Sequence, residues 1–221
     1  MVAGLARYEE FNMAKVLDQC HVCRRAGTKL YLKGDRCYTP KCAIVKRNYP
    51  PGVQGAKKGK PRLTTYGQQL REKQKARMYY GISEKQFRNY FAKAAQKTGN
   101  TGDLLLQLLE MRLDNVIHRL GWSTSHRFVR QAVSHGYFLV DGKPVNIPSY
   151  QVKTGQVITI RPKSLMMKHF QNMLPTLEKI ETPGWVYGER ASFEGKVVGA
   201  PTLADNPPLF DMKFIIEFYS R

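Results

Sequence analysis

The feature that most constrains this chain is a set of four cysteines within 23 residues. Cys20, Cys23, Cys37 and Cys42 follow the spacing Cys-x2-Cys-x13-Cys-x4-Cys, and the chain has no other cysteine. Two thiolate pairs joined by a short hairpin can surround Zn²⁺ tetrahedrally and leave no position open for a catalytic water. The spacing therefore predicts a structural zinc site, with an iron–sulfur cluster as the alternative.

The cellular compartment is expected to be the cytoplasm. No segment approaches the roughly 18 continuous apolar residues of a membrane span, and the first residues include Glu9, Glu10 and Asp18 without an apolar signal core. In a reducing compartment, cysteines are more often metal ligands than members of a disulfide framework.

The positive charge is concentrated in one stretch. Residues 24–100 hold 20 Lys or Arg and three acids, for a net charge of +17, whereas residues 101–170 sum to +5 and the last 51 residues to −2. Nucleic acid is the commonest partner of such a surface, and an anionic membrane surface is the rival. Residues 46–65, rich in Lys, Arg, Pro and Gly, are expected to form an extended basic arm that becomes ordered on its partner.

Helical patterns dominate the first two thirds of the chain. Helices are predicted at 66–80, at 84–96 with a capping box from Ser83 and Gln86, at 103–120, and at 126–135 with Ser125 as its cap. A short helix is also predicted at 3–17, and a short strand at 28–33.

Strand patterns follow. Asp141-Gly142 between short β-prone runs predicts a hairpin from 137 to 145. Further strands are predicted at 150–152 and 157–160, a helix at 165–177, and a final strand at 212–219, where apolar and polar residues alternate. Together these elements predict an α+β protein.

One face of the predicted helix 126–135 carries Arg127, Arg130, Gln131 and Ser134, without an acid, and Lys143 follows in the hairpin. The ordinary interpretation is a solvated helix face. Guanidinium groups suit phosphate, however, because their planar fork offers paired donors. No catalytic motif or phosphate-cradling glycine loop is present, so the chain is predicted not to be an enzyme and to have no small-molecule substrate.

Several long blocks resemble a known family. They are CHVCRRAGTKLYLKGDRCYTPKC, YPPGVQGAKKGKPRLTTYGQQLREKQKARMYYGISEKQFRNYF, NTGDLLLQLLEMRLDNVIHRLG and the final IIEFYSR. Between residues 20 and 221 the chain is similar to bacterial-type small-subunit ribosomal protein four, in its zinc-binding four-cysteine form. RLDNVIHRLG…SHRFVRQAVSHGYFLVDG resembles the RNA-binding module of that family, in which Ser125-His126 replaces the usual Ser-Arg pair.

The resemblance implies a mainly helical first domain with a zinc-knot segment, and an inserted α/β RNA-binding module with a small antiparallel sheet. The implied boundaries are 1–45 for the zinc segment, 46–103 with 186–221 for the basic helical domain, and 104–185 for the module. It also implies binding to a junction in the 5′ domain of small-subunit ribosomal RNA early in assembly. The resemblance implies that ribosomal protein five is a neighbour and that mRNA near the entry channel is a further partner. It also implies that the chain contributes to translational accuracy.

Residues expected to contact RNA are basic or polar and lie in the arm, the first helices and the module. They are Arg24, Arg25, Lys33, Arg36, Lys41, Arg47, Lys57, Lys58, Lys60, Arg62, Arg71, Lys73, Lys75, Arg77, Arg88, Arg112, Ser125, Arg127, Arg130, Gln131, Ser134 and Lys143.

Two other functional classes remain as alternatives. An RNA-modifying enzyme such as a pseudouridine synthase would need a catalytic domain of about 200 residues, for which the chain has little room beside the module. A zinc-containing redox or heat-shock RNA chaperone would bind RNA without sedimenting stably with the small subunit.

Overall fold

Two large hydrophobic cores and a small cluster of Cys23, Leu30 and Leu32 organise the chain in this computed structural model. It describes residues 18–57, 62–166, 170, 182–189, 193–203 and 207–221. The predicted helix at 3–17 and most of the one predicted at 165–177 lie outside the described residues. The helices are α1 Gln19–Ala26, α2 Ala43–Lys46, α3 Thr65–Tyr79, α4 Glu84–Ala95, α5 Thr101–Glu110, α6 Leu113–Arg119, α7 His126–Ser134, α8 Pro162–Leu165 and α9 Met212–Tyr219, with a 3-10 helix at Gly34–Tyr38.

Helices α3 and α4 begin where the sequence predicted. The Thr64 side chain accepts a hydrogen bond from the Gly67 N–H at the start of α3. At the start of α4, Ser83 and Gln86 form the predicted capping box, each side chain bonding the other's backbone N–H. These bonds satisfy amides that have no partner within the helix, which is why each helix starts at its cap.

The first core joins α3, α4, α5 and the C-terminal helix α9. The prediction of a strand at 212–219 is wrong, because the same residues also match helical spacing: Met212 and Ile215 are buried, and Tyr219 stacks on Phe91 at 4.8 Å. The Asp211 side chain caps the helix by accepting from the Lys213 N–H. An alternating pattern of eight residues does not distinguish a strand from a helix packed on one side.

A second correction concerns the predicted helix at 103–120, which is two helices, α5 and α6. Arg112 between them has φ −71° and ψ 139°, which is extended backbone. The N–H groups of Leu113 and Asp114 donate to Tyr150 and Pro148 carbonyls at 2.8 and 3.2 Å. At this break, hydrogen bonds to the segment before Gln151 replace hydrogen bonds within the helix. The strand predicted at 150–152 is not formed; a single β-bridge joins Arg112 and Gln151.

A five-stranded antiparallel sheet lies beyond α7, with strand order β2-β1-β3-β5-β4. The strands are β1 Phe138–Val140, β2 Lys143–Pro144, β3 Val157–Ile160, β4 Val186–Glu189 and β5 Glu194–Val197. The predicted hairpin at Asp141-Gly142 is confirmed: both residues have positive φ, 48° and 76°, as a type I′ turn requires.

The second core lies between α6, α7 and this sheet. Trp122, Phe138 and Phe193 pack at its centre. Strands β4 and β5 contribute to this core although the sequence pattern did not predict them, and they extend the sheet past the predicted module boundary at residue 185. The α+β class is confirmed, while the division into domains stays a prediction.

Gly195 of β5 offers a test of packing between the sheet and α6. A Cβ at Gly195 would lie 2.4 Å from Leu120 Cδ1, whereas a Cβ at Gly199 would meet nothing within 4 Å. Gly195→Ala should therefore lower the free energy of unfolding by about 1–3 kcal/mol. Gly199→Ala is the matched control and should change it little. Equal denaturant midpoints for the two variants would contradict this packing.

Candidate nucleic-acid interface

Helix α7 presents the polar face that the sequence predicted. Arg127, Gln131 and Ser134 are exposed, while Val129 and Val133 on the other side are buried in the second core. Burial of the apolar side therefore fixes which way the polar side points.

Arg130 of this helix and Ser125 just before it make hydrogen bonds within the protein. Arg130 Nη1 donates to the Gly81 carbonyl at 2.8 Å, which ties α7 to the turn between α3 and α4. Ser125 precedes the helix, but its side chain makes no capping hydrogen bond; its N–H instead donates to Ser123 Oγ at 3.2 Å. Ser125 therefore occupies the predicted N-cap position, but the expected side-chain hydrogen bond is absent.

The hairpin beside α7 adds the exposed Lys143. Asp141 places a carboxylate at the turn, where it accepts hydrogen bonds from the Val157 N–H and from Gln156 Nε2 at 2.9 and 2.7 Å. The Val157 N–H, the Gln156 amide and the Lys143 charge lower the Asp141 pKa below its usual value. The carboxylate thus links the turn to β3 by hydrogen bonds.

Most of the cations predicted in the N-terminal region are exposed. They are Arg25, Lys33, Arg36, Lys41, Arg47, Lys57 and Arg62, together with Arg88 on α4. Lys33 forms an ion pair with Asp18 at 3.1 Å. Lys58 and Lys60 lie outside the described residues. Arg71 is half-buried, as is Lys75, which pairs with Glu72 at 2.6 Å.

Other predicted RNA contacts are engaged inside the protein. Arg24 is buried, stacks over the Tyr49 ring at 4.7 Å and donates to the Tyr49 and Pro50 carbonyls. It holds the start of the basic arm against α1. Arg24 therefore positions the arm through its own contacts, and the prediction of a phosphate contact there is not supported by its burial.

Lys73 and Arg77 of α3 are also buried. Lys73 Nζ donates to Glu84 Oε1 at 2.7 Å and lies 4.3 Å from the centre of the Phe218 ring, and Arg77 approaches the same carboxylate at 3.9 Å. These cations join α3 to α4 and to α9, so their burial does not support the predicted RNA contacts at either residue.

Arg112 is the clearest correction, because it has no exposed surface. Its guanidinium makes two bonds to the Asp114 carboxylate, at 2.7 and 3.0 Å, and a third to the Tyr90 hydroxyl at 2.8 Å. A buried arginine needs such a paired carboxylate to offset its lost hydration. It spans the break between α5 and α6 and is unavailable to RNA.

The four cysteines lie near one another without a closed ligand set. Cys20 and Cys23 lie on α1, Cys37 lies in the 3-10 helix and Cys42 precedes α2; all but Cys20 are buried. Burial raises the pKa of Cys23, and the other three cysteines raise it further. Among the described residues, no group of three or more His, Cys, Asp or Glu side chains is positioned to hold a metal ion. The donor type suits zinc, and the metal stays a prediction.

The strand predicted at 28–33, between the two cysteine pairs, is wrong. Leu30 and Leu32 are both buried, as alternation suggested, but Tyr31 between them has φ 52° and the chain turns there. A residue in the left-handed region interrupts a strand, so Cys37 lies in a 3-10 helix that follows a turn.

Sequence patterns did not reveal a pair of stacked histidines at the start of α7. The rings of His118 and His126 lie 3.6 Å apart and nearly parallel, and the Tyr79 ring packs against His126 at 4.8 Å. Burial and the charge of Arg119 lower the His118 pKa to about 4, and burial lowers that of His126 well below its usual value. Both rings are therefore neutral at pH 7. The sequence could not reveal this, because the lowered pKa values depend on which residues surround the rings in the fold.

None of the described helices is both long and apolar enough to cross a bilayer.

Comparison with known protein families gives two matches that cover most of the described chain. Residues 18–110 match the model of the ribosomal protein S4/S9 N-terminal domain, and residues 111–158 match that of the S4 domain. The boundary between these matches falls at the break between α5 and α6. The fold and its basic surface thus define the class of ribosomal proteins with an S4 domain.

Curated relatives narrow this class. The chain is 50% identical to small ribosomal subunit protein uS4A of Clostridium novyi (strain NT), over 91% of this chain and 96% of that protein. It is 48% identical to protein uS4 of Clostridium tetani (strain Massachusetts / E88), over 98% of this chain and all of that protein. It is also 50% identical to protein uS4 of Halothermothrix orenii, over 91% of this chain and 96% of that protein. The chain belongs to the small ribosomal subunit protein uS4 family, and the prediction that it is not an enzyme is confirmed by that membership.

Acid should destabilise the fold through His118. Because its pKa falls from 6.5 to about 4 on folding, the unfolded chain takes up a proton that the folded chain resists. The resulting stability is fully present above about pH 6.5 and is lost as the pH falls towards 4, by up to about 3 kcal/mol.

The comparison that isolates this effect is the loss of unfolding free energy between pH 7 and 4.5. His118→Phe should lose about 2 kcal/mol less than the wild-type protein over that range. The exposed His135→Phe is the matched control and should show the wild-type loss. If His118→Phe shows it too, the neutral stack is not the source of acid sensitivity.

Proposed function

We propose that this chain is a structural RNA-binding protein of the small ribosomal subunit in the cytoplasm, binding small-subunit ribosomal RNA. One observation carries the proposal: the exposed cations of α7 and its hairpin, Arg127 and Lys143, face solvent beside apolar residues that are fully used in the core. Membership of the uS4 family supports small-subunit ribosomal RNA as the partner of that surface.

The finer proposal is that the RNA site is a junction in the 5′ domain and that binding occurs early in assembly. Residues 36–57 support it, because exposed cations at Arg36, Lys41, Arg47 and Lys57 follow one another through the 3-10 helix, α2 and the turns beside them. Such a segment gives little base readout, but it can follow phosphates where several helices converge.

Neighbouring ribosomal proteins are proposed as further partners, with protein five and mRNA near the entry channel as the specific ones. The last 51 residues carry a net charge of −2, so this part of the sequence suits basic proteins better than RNA. A contact there would connect the chain to translational accuracy.

The salt dependence of binding tests the RNA interface. Arg127→Ala should weaken binding to a transcript of the 5′ domain of small-subunit ribosomal RNA several-fold. It should also reduce the slope of log K against log salt by about 0.7–0.9, because one phosphate contact releases one counterion fewer. Filter binding or fluorescence anisotropy at several salt concentrations measures both.

Lys196→Ala removes a cation that is also exposed, on β5 of the sheet. It is the matched control and is expected to leave both quantities near wild type. Native protein should also co-sediment with small subunits. Wild-type affinity that does not change with salt would exclude this RNA interface. RNA binding without co-sedimentation would exclude the ribosomal function and favour the RNA-chaperone alternative.

Zinc is proposed as a structural ligand of Cys20, Cys23, Cys37 and Cys42, and it would hold α1 against the 3-10 helix. The support is the donor type, the burial of three thiols and their mutual effect on the Cys23 pKa. Binding requires the side chains to turn towards a common point, where a single ion replaces four thiol protons.

Metal analysis tests the zinc site. A freshly reduced native preparation should carry close to one zinc per chain, and chelation should raise hydrogen exchange in residues 20–45 while leaving α3 to α5 protected. Cys37→Ser should lower the zinc content without altering α4. A metal-free native preparation would refute the site, and iron with acid-labile sulfide would establish the alternative cluster.

A further inference from the structure

A cavity of about 240 Å³ lies where four separate parts of the chain meet. The cysteine segment, the end of α3, the start of the module and the segment before α9 all contribute walls. Its lining consists of Tyr31, Tyr38, Tyr79, Tyr80, His118, Arg119, His126, Pro207, Pro208 and Leu209. No acidic residue is among them, and most of the lining is aromatic.

A close approach of two loops builds one side of this cavity. Gly34 has φ 63°, and a Cβ there would lie 2.6 Å from Thr124 Oγ1. Only a glycine permits this contact, because the left-handed backbone and the short distance both exclude a side chain. The contact holds the cysteine segment against the loop before α7, so Tyr31 and Tyr38 are brought to the same cavity as His126.

The outer wall consists of the tyrosines of the cysteine segment. The Tyr31 and Tyr38 rings lie 5.1 Å apart, and Tyr38 is 70% exposed. Tyr31 adopts φ 52°, a conformation that a bulky residue rarely takes and that tends to occur at functional sites. The exposed Tyr38 ring is held against Tyr31, whose backbone conformation is unfavourable, and core packing does not explain this arrangement.

The inner wall is the histidine stack and Tyr79. His118 Nδ1 and His126 Nε2 are buried and have no hydrogen-bond partner among the described residues. Arg119 lies beside them, with Nε and Nη2 engaged by Glu110. The wall therefore combines neutral planar rings with a fixed positive charge.

We infer that this cavity binds one unstacked nucleobase of the ribosomal RNA, an inference that rests on the proposed function. Single-stranded RNA is recognised by stacking of splayed bases on aromatic side chains, and neutral histidines can offer both a donor and an acceptor to a base edge. The volume is below the about 300–1,000 Å³ of clefts that hold drug-sized ligands, which suits a single ring system. Arg36 and Lys41 are exposed and close to Tyr38 in the chain. We expect them to contact the phosphates on either side of the bound nucleotide.

The test removes the stacking surface without removing a charge. Tyr38→Ala in the full chain should weaken binding to the 5′-domain transcript roughly tenfold, whereas Tyr38→Phe should bind like the wild type. The slope of log K against log salt should be unchanged in both, because no phosphate contact is lost. Tyr187→Ala is the matched control, since Tyr187 on β4 is similarly exposed at 65%, and it should bind like the wild type.

A second measurement uses the wild-type protein. Ultraviolet cross-linking of its complex with the transcript, followed by mass spectrometry, should give a cross-linked peptide containing Tyr38. The same base should be protected from chemical modification in the wild-type complex and reactive in the Tyr38→Ala complex.

The outcomes separate this inference from the function on which it rests. If Tyr38→Ala binds like Tyr187→Ala while Arg127→Ala still weakens binding, the nucleobase site is refuted and the RNA interface stands. A reduced salt slope in Tyr38→Ala, or no cross-link at Tyr38, also refutes it. Failure of the wild-type protein to bind the transcript refutes both.

Discussion

The buried carboxylate of Glu110 is the interaction on which the arrangement of the two cores depends. It has no exposed surface and accepts four side-chain hydrogen bonds, two from Arg119 and one each from Tyr80 and Asn115. These partners come from the end of α3 and from α6, so one carboxylate joins the helical core to the module. A buried charge left without its partner would cost several kcal/mol. Removing either Glu110 or Arg119 alone should therefore destabilise the fold by more than the ion pair between them contributes.

Part of the large positive charge of this chain is structural. Lys73 and Arg112 bind internal carboxylates, and Arg24 binds backbone carbonyls at the start of the arm. Exposed cations include Arg47 and Lys57 of the arm, Arg88 on α4, Arg127 on α7 and Lys143 in the hairpin. This division matters for function, because phosphate recognition needs exposed charge held in a stable position, and the buried cations provide that stability.

The proposed nucleobase cavity differs in kind from the exposed cationic surface. Cations on the surface give affinity that depends on salt, whereas stacking in a cavity depends on the shape of the RNA at one nucleotide. The cavity exists only because Gly34 lets the cysteine segment contact Thr124. A zinc ion on the four thiols would hold the same segment, so the proposed metal and the proposed nucleobase site would support one another.

The sequence by itself determined the elements that depend on neighbours close in the chain. These include the capping box of α4, the turn at Asp141-Gly142 and the two-sided pattern of α7, which also gave the exposed Arg127 surface. Only the tertiary structure decided that 212–219 is a helix, because its eight residues fit either period until the groove beside α3 and α4 selects one. It also decided that Arg112 is buried against Asp114 and that His118 stacks on His126, since charge and aromatic character in a sequence do not reveal which side chains meet when distant segments pack together.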